Sequence, residues 1–218
     1  MKQIKELLTF GKEIKGDLLF DYDLKKRNWF NIGGKAEIYF KPETLNELVL
    51  FVKKFSSEYR IFTLGAGSNI LLSDDKILGA VIKLGKNFSN ISLLSNEKII
   101  VGSACTDKQV SDFAMENNIG GLEFLSCIPG TIGGGLRMNS GCFGTEFKDI
   151  LLSVQALDKK GNMVTIPSNK INFGYRYSGL DRNLIFLSAS LKGKHKAKNE
   201  IKEEIIFLRD KKSKSQPT

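Results

Sequence analysis

The chain has 218 residues, of which 41% are hydrophobic and 26% charged, enough for one large domain or two modest ones with a real core. No apolar run approaches the length that spans a bilayer. The formal charge of +9 is concentrated in Lys192 to Thr218, where nine Lys or Arg outnumber four Asp or Glu. With Phe207 as its one Phe, Tyr or Trp, that tail reads as a solvated helix face, and we expect no nucleic-acid partner.

In chain order, MKQIKELLTFGKEIKGD has helical spacing and mixed charge, and residues 1–27 read as a helical segment. It has no basic block followed by an apolar stretch and a small-residue cleavage site, so we expect a cytoplasmic protein. Asn28 to Pro42 is a Gly-Gly turn followed by Ala36, Ile38 and Phe40 in strand alternation. Thr44 and Glu47 have capping-box spacing ahead of Leu48, Phe51, Val52 and Phe55 on one helical face. RIFTL (Arg60 to Leu64) and GAVIKLG are strands with the loop GAGSN between them.

The order then repeats loosely. KIIVGSAC is a strand, and Thr106 caps a helix that carries Val110, Phe113 and Ala114 and stops near Asn118 and Gly120. LLSVQAL and NMVTIP form a hairpin through Asp-Lys-Lys-Gly. INFGYRYSGL is irregular, LIFLSASL is a strand, and Asn199 to Lys214 is amphipathic, with Ile201, Ile205 and Leu208 in register. The class is α+β. We divide it into 1–27, a first subdomain 28–85, a second subdomain 86–198, and a helix beginning a linker at 199–218.

Cys105, Cys127 and Cys142 are widely spaced, and His195 is the only histidine. That excludes a structural zinc site and any chemistry needing a histidine base earlier in the chain, so we expect no metal.

Two loops carry the chemistry. In Leu64-Gly65-Ala66-Gly67-Ser68-Asn69-Ile70-Leu71 the third glycine of a dinucleotide fingerprint is missing, and no G-K-[ST] P-loop follows. What remains is an anion-binding nest of backbone N–H groups, or an ordinary strand-ending turn. Ile128 to Gly144, IPGTIGGGLRMNSGCFG, places six of the chain's 21 glycines in seventeen residues. Pro129-Gly130 bends the chain, and Thr131 can start a short helix with its first N–H groups free for a phosphate. Gly133, Gly134 and Gly135 either offer a Cβ-free surface to a flat ring or pack a helix against a strand. Arg176, beside Tyr175, Tyr177 and Ser178, is a candidate carboxylate or phosphate clamp.

GAGSNIL, IPGTIGGGLRMNSGCFG and YRYS, in this order and spacing from about Asn28 onward, resemble the UDP-N-acetylenolpyruvoylglucosamine reductases, in their shorter type II form. The resemblance implies a fold of the vanillyl-alcohol-oxidase/PCMH kind, with non-covalent FAD held between two subdomains and a third covering the substrate. It assigns Leu64 to Leu71, Pro129, Gly130, Thr131, Gly133, Gly134, Gly135, Asn139 and Gly141 to the cofactor. It assigns Tyr175 and Arg176 to the substrate, with Arg176 on the carboxylate.

It further implies a cytoplasmic, monomeric enzyme of peptidoglycan precursor synthesis. There NADPH reduces the flavin, the enolpyruvyl methylene carbon of UDP-N-acetylglucosamine enolpyruvate takes the hydride, and a serine protonates the adjacent carbon. The sequence departs from the family twice. Asn31 stands where a basic residue often precedes I-G-G, and the serine and glutamate motifs expected after KKSKSQPT lie beyond Thr218, so we expect a chain lacking the covering subdomain. A non-catalytic flavin-binding remnant and another PCMH-type oxidase are the alternatives.

Overall fold

The computed structural model describes Lys2 to Ser215. Gln216 to Thr218, the end of the expected linker, lie outside the described residues. The chain is α+β and forms two compact units. The first runs to Asn87 and takes in Leu157–Met163 and Asn183–Ile185; the second holds Phe88–Ala156, Val164–Arg182 and the chain from Phe186 onward.

The first unit contains α1 (Lys2–Glu13), β1 (Asp17–Asp23), β2 (Lys35–Lys41), α2 (Leu45–Phe55), β3 (Ile61–Thr63) and β4 (Ile77–Ile82), with sheet order β1-β2-β4-β3. β4 is parallel to both β2 and β3, and β1 is antiparallel to β2. Apolar spacing dictates the packing. Leu48, Phe51, Val52 and Phe55 of α2 are all buried, and Phe10 of α1 meets the rings of Phe40, Phe51 and Phe55 at 5.6–5.9 Å.

The N-cap of α2 forms half of the expected box: Thr44 Oγ1 accepts from Glu47 N at 3.2 Å. The buried Glu47 carboxylate turns elsewhere, accepting from the backbone N–H groups of Lys15 (2.9 Å), Gly16 (3.2 Å) and Glu43 (2.8 Å). One side chain thus ties the end of α1 to the start of α2.

The second unit contains β5 (Ile91–Ser95), β6 (Lys98–Gly102), α3 (Asp107–Glu116), β7 (Ile119–Gly120), α4 (Ile132–Met138), β8 (Gly141–Cys142), β9 (Thr145–Glu146), α5 (Phe147–Ile150), β10 (Leu151–Leu157), β11 (Met163–Pro167), β12 (Ile185–Lys192), β13 (Lys194–His195) and α6 (Lys198–Ser215). Its five-stranded sheet has the order β11-β10-β12-β6-β5. The Thr106–Gln109 capping box starts α3. Ile201, Ile205 and Leu208 bury one face of α6, as their spacing requires.

The helical reading of residues 1–27 is corrected. Only α1 is a long helix there, and DLLFDYD forms the strand β1. Its side chains lack a buried alternating face; partnership with the β2 edge decides its conformation, with Tyr22 stacked on Tyr39 at 4.2 Å.

Burial pushes the Glu47 carboxyl up, but the backbone N–H groups of Lys15, Glu43, Gly16 and Thr44 outweigh it and hold the group below its ordinary value. We expect Glu47→Ala to lower stability by about 2–3 kcal/mol in urea unfolding at neutral pH, since three donors lose a buried acceptor. Because the folded pKa is depressed, that difference should be present above the ordinary carboxylate range and vanish as pH falls through the lowered pKa. An equal difference in acid would contradict the assignment.

Candidate functional site

In the first unit the chain leaves β3 at the buried Leu64, whose N–H still pairs with Ile82 O at 2.9 Å, and turns through Gly65 to Asn69. Gly67 has φ +73°, and a Cβ there would run into the carbonyl of Arg27. Its own carbonyl accepts from Trp29 N at 3.0 Å. Gly67 is therefore fixed by backbone-on-backbone packing. The backbone N–H groups of Gly65, Ala66, Gly67, Ser68 and Asn69 find no hydrogen-bond acceptor among the described residues.

Ile70 packs onto the buried cluster of Leu24, Ala36, Tyr39, Leu64 and Val81, whereas Leu71 is exposed. Trp29 and Phe30 are also exposed beside the turn. Five free donors with no carboxylate hydrogen-bonded to them suit an anion such as a pyrophosphate. Asn31, where a basic residue was expected, has φ +54°, a conformation asparagine tolerates better than lysine or arginine.

In the second unit the three adjacent glycines do three different things. A Cβ on Gly133 would press on Ser103 Cβ at 3.1 Å, and one on Gly135 would enter the Phe147 ring. On Gly134 it would meet only Thr131 Oγ1 at 3.6 Å, and Gly134 is exposed. Two of the three glycines therefore pack α4, and one faces open space. The expectation of free N–H groups at the start of α4 holds for Gly134 N, which has no acceptor among the described residues, and is corrected for the two before it. Ile132 N donates to Cys105 O and Gly133 N to Ser103 O, both at 2.9 Å, because α4 starts against the end of β6. Pro129 is exposed, and Gly130 lies over Asp107, with 2.7 Å between its ideal Cβ and Oδ2.

Asp107 is fully buried, and neither carboxylate oxygen has a hydrogen-bond partner among the described residues. Burial pushes its pKa up to about 8.

Asn139 ends α4 in the left-handed conformation, φ +43°. Its side chain is buried and fully committed: Nδ2 donates to Glu146 Oε2 (3.0 Å) and Gly174 O (3.3 Å), and Oδ1 accepts from Lys148 N (3.0 Å). Gly141 belongs to the β8–β9 hairpin, where a Cβ would strike the Thr145 carbonyl.

Arg176 lies at the tip of a two-residue turn closed by Gly174 N to Tyr177 O at 2.8 Å and Tyr177 N to Gly174 O at 3.2 Å. Its φ of +53° is rare for a residue with this side chain. Arg176 Nε donates to Tyr175 Oη at 3.2 Å, and both residues are exposed. Sequence reasoning missed how this turn is held. Asn139 grips Gly174, and Arg137 donates to Leu180 O (3.2 Å) and Asp181 O (2.9 Å). The end of the glycine-rich helix thereby anchors the arginine turn from both sides.

The FAD binding domain family matches residues 36–167, more than half of the chain. A UDP-N-acetylenolpyruvoylglucosamine reductase of Pelagibacter ubique is 60% identical over 99% of this chain and 71% of its own length. The chain belongs to the UDP-N-acetylenolpyruvoylglucosamine reductase family. The corresponding reductase of Rickettsia massiliae is 48% identical over 82% of this chain. The crystal structure of the Thermus caldophilus reductase superposes with a TM-score of 0.80 at 28% identity, covering 94% of this chain and 71% of that one. This family member spans 60% of the length of the Rickettsia relative.

For this reductase relative the glycine geometry makes opposite stability predictions. Gly135→Ala should lose about 1–3 kcal/mol through overpacking on Phe147. Gly134→Ala should gain up to about 1 kcal/mol through helix propensity. Thermal denaturation of the two variants checks this; equal losses would show that Gly134 also packs.

Proposed function

We propose that this chain binds FAD non-covalently and is the flavin-binding part of a cytoplasmic, monomeric enzyme that reduces UDP-N-acetylglucosamine enolpyruvate to UDP-N-acetylmuramate at the expense of NADPH. The observation that carries the reading is the run of five unpartnered N–H groups from Gly65 to Asn69, in a chain whose family match is to an FAD binding domain. When bound, FAD supplies a two-electron carrier that takes a hydride from NADPH and delivers it to the enolpyruvyl methylene carbon.

The chain's own residues hold the cofactor and the substrate carboxylate, while the serine that would protonate the adjacent carbon is expected beyond Thr218. The Gly65–Asn69 amides hold the pyrophosphate, with Ser68 and Asn69 beside it. In the second unit Gly134 offers backbone without a Cβ to the cofactor, between the bends made by Pro129–Thr131 and Asn139. Gly133, Gly135 and Gly141 keep that backbone close-packed. Arg176, presented by its strained turn, holds the substrate carboxylate, with Tyr175 orienting the guanidinium. As the hydride arrives, negative charge spreads into that carboxylate, so the guanidinium stabilises the transition state more than the ground state.

The experiment is flavin loading of the purified chain followed by acid denaturation. All yellow colour should leave with the supernatant; colour retained on the precipitate would overturn the non-covalent assignment. Gly134→Val should fold yet take up no FAD, and normal uptake would return all three glycines to packing. Arg176→Met should weaken binding of the enolpyruvyl nucleotide about tenfold, the loss of a charge-assisted pair, with FAD affinity unchanged. An unchanged nucleotide affinity would remove Arg176 from the substrate site.

A further inference from the structure

The Gly65–Asn69 turn is held through its carbonyls. Gly67 O accepts from Trp29 N at 3.0 Å, and Gly65 O accepts from Lys83 Nζ. In a trans peptide the C=O and the following N–H point in opposite directions. Gripping the Gly65 carbonyl therefore turns the Ala66 N–H away from Lys83, and gripping the Gly67 carbonyl turns the Ser68 N–H away from Trp29. Both of these N–H groups are among those left without an acceptor.

The fold puts Lys83 in reach. It follows β4 directly, its N–H pairs with Phe40 O at 2.9 Å, and strand alternation sends its side chain to the same face as Val81. Val81 belongs to the cluster beneath Leu64 and Ile70, the two ends of the turn. The neighbouring cations are otherwise engaged. Lys41 pairs with Asp17 at 4.0 Å, and Arg27 Nε donates to Tyr22 Oη at 2.8 Å. Among the described residues no carboxylate pairs with Lys83.

We infer that Lys83 is the positioning residue of a diphosphate site: through the Gly65 carbonyl it aims the Ala66 N–H at the ligand, and its charge polarises that peptide toward an anion. The assignment rests on the flavin reading above and deepens it. Burial, with Arg27 and Lys41 nearby, holds the Lys83 ammonium below the usual lysine range. A half-buried cation without a counter-ion is costly in a turn with no use for it. A bound diphosphate would offset that cost.

The test compares wild type with Lys83→Met and Lys83→Arg, the latter keeping both charge and donor, by calorimetric titration with FAD, riboflavin and inorganic pyrophosphate. Lys83→Met should weaken FAD and pyrophosphate at least about tenfold, as expected for losing a charge-assisted hydrogen bond and its field. Riboflavin, which has no phosphate, should be unaffected within about twofold, and Lys83→Arg should recover most of the loss. Equal weakening of riboflavin, or no weakening of pyrophosphate, would overturn the assignment.

If Lys83→Met does not fold, the wild-type amide spectrum decides. Pyrophosphate should shift the Ala66 and Ser68 N–H resonances, and an unmoved Ala66 would refute the orientation argument. A wild type that binds pyrophosphate but not FAD would overturn the flavin reading, and the pyrophosphate ratio between wild type and Lys83→Met would then decide the Lys83 assignment alone.

Discussion

A backbone N–H group needs an acceptor, and a chain that keeps five of them in a row unpaired within one turn must hold that turn from its other side. In the first unit the carbonyls of Gly65 and Gly67 are gripped by Lys83 and Trp29, while Gly67 is left-handed and the Arg27 carbonyl packs where a Cβ would lie. The sheet makes this possible. Parallel pairing of β3 and β4 brings Leu64 and Lys83 to the same end, and the Tyr39–Val81 cluster supports the turn from below. Donors held this way lose little entropy when an anion arrives, which is the advantage of a preorganised site.

The second unit solves a related problem differently. There α4 begins against β6, and its first two N–H groups are consumed by the carbonyls of Cys105 and Ser103. Among the described residues the Gly134 N–H keeps no acceptor, and of the three adjacent glycines only Gly134 has room for a Cβ, 3.6 Å from Thr131 Oγ1. At its other end, Asn139 and Arg137 reach the segment that carries Arg176. A change at the end of α4 would thus be felt at the arginine although some forty residues of sequence separate them.

Much of this was legible in the chain. The 3.6-residue spacing of Leu48, Phe51, Val52 and Phe55 and the Thr106–Gln109 cap specify their helices locally, so the sequence states them outright. The strand β1 was hidden because its conformation comes from the β2 edge and not from its own pattern. The glycine cluster was visible as a cluster, but spacing alone could not separate the packing roles of Gly133 and Gly135 from the open face of Gly134; that depends on where Ser103 and Phe147 lie. Arg176 was singled out by its aromatic neighbours. Lys83, Arg137 and the grip of Asn139 on Gly174 were missed because each acts through a backbone carbonyl distant in sequence, which leaves no local signature.

The central claim is that the ligand is bound by backbone and not by side chains. The most direct measurement is a crystal structure of the chain grown with FAD. The account predicts the diphosphate oxygens within hydrogen-bonding distance of the N–H groups between Gly65 and Asn69. A diphosphate held by side-chain cations elsewhere, with the Gly65–Asn69 N–H groups facing solvent, would contradict it.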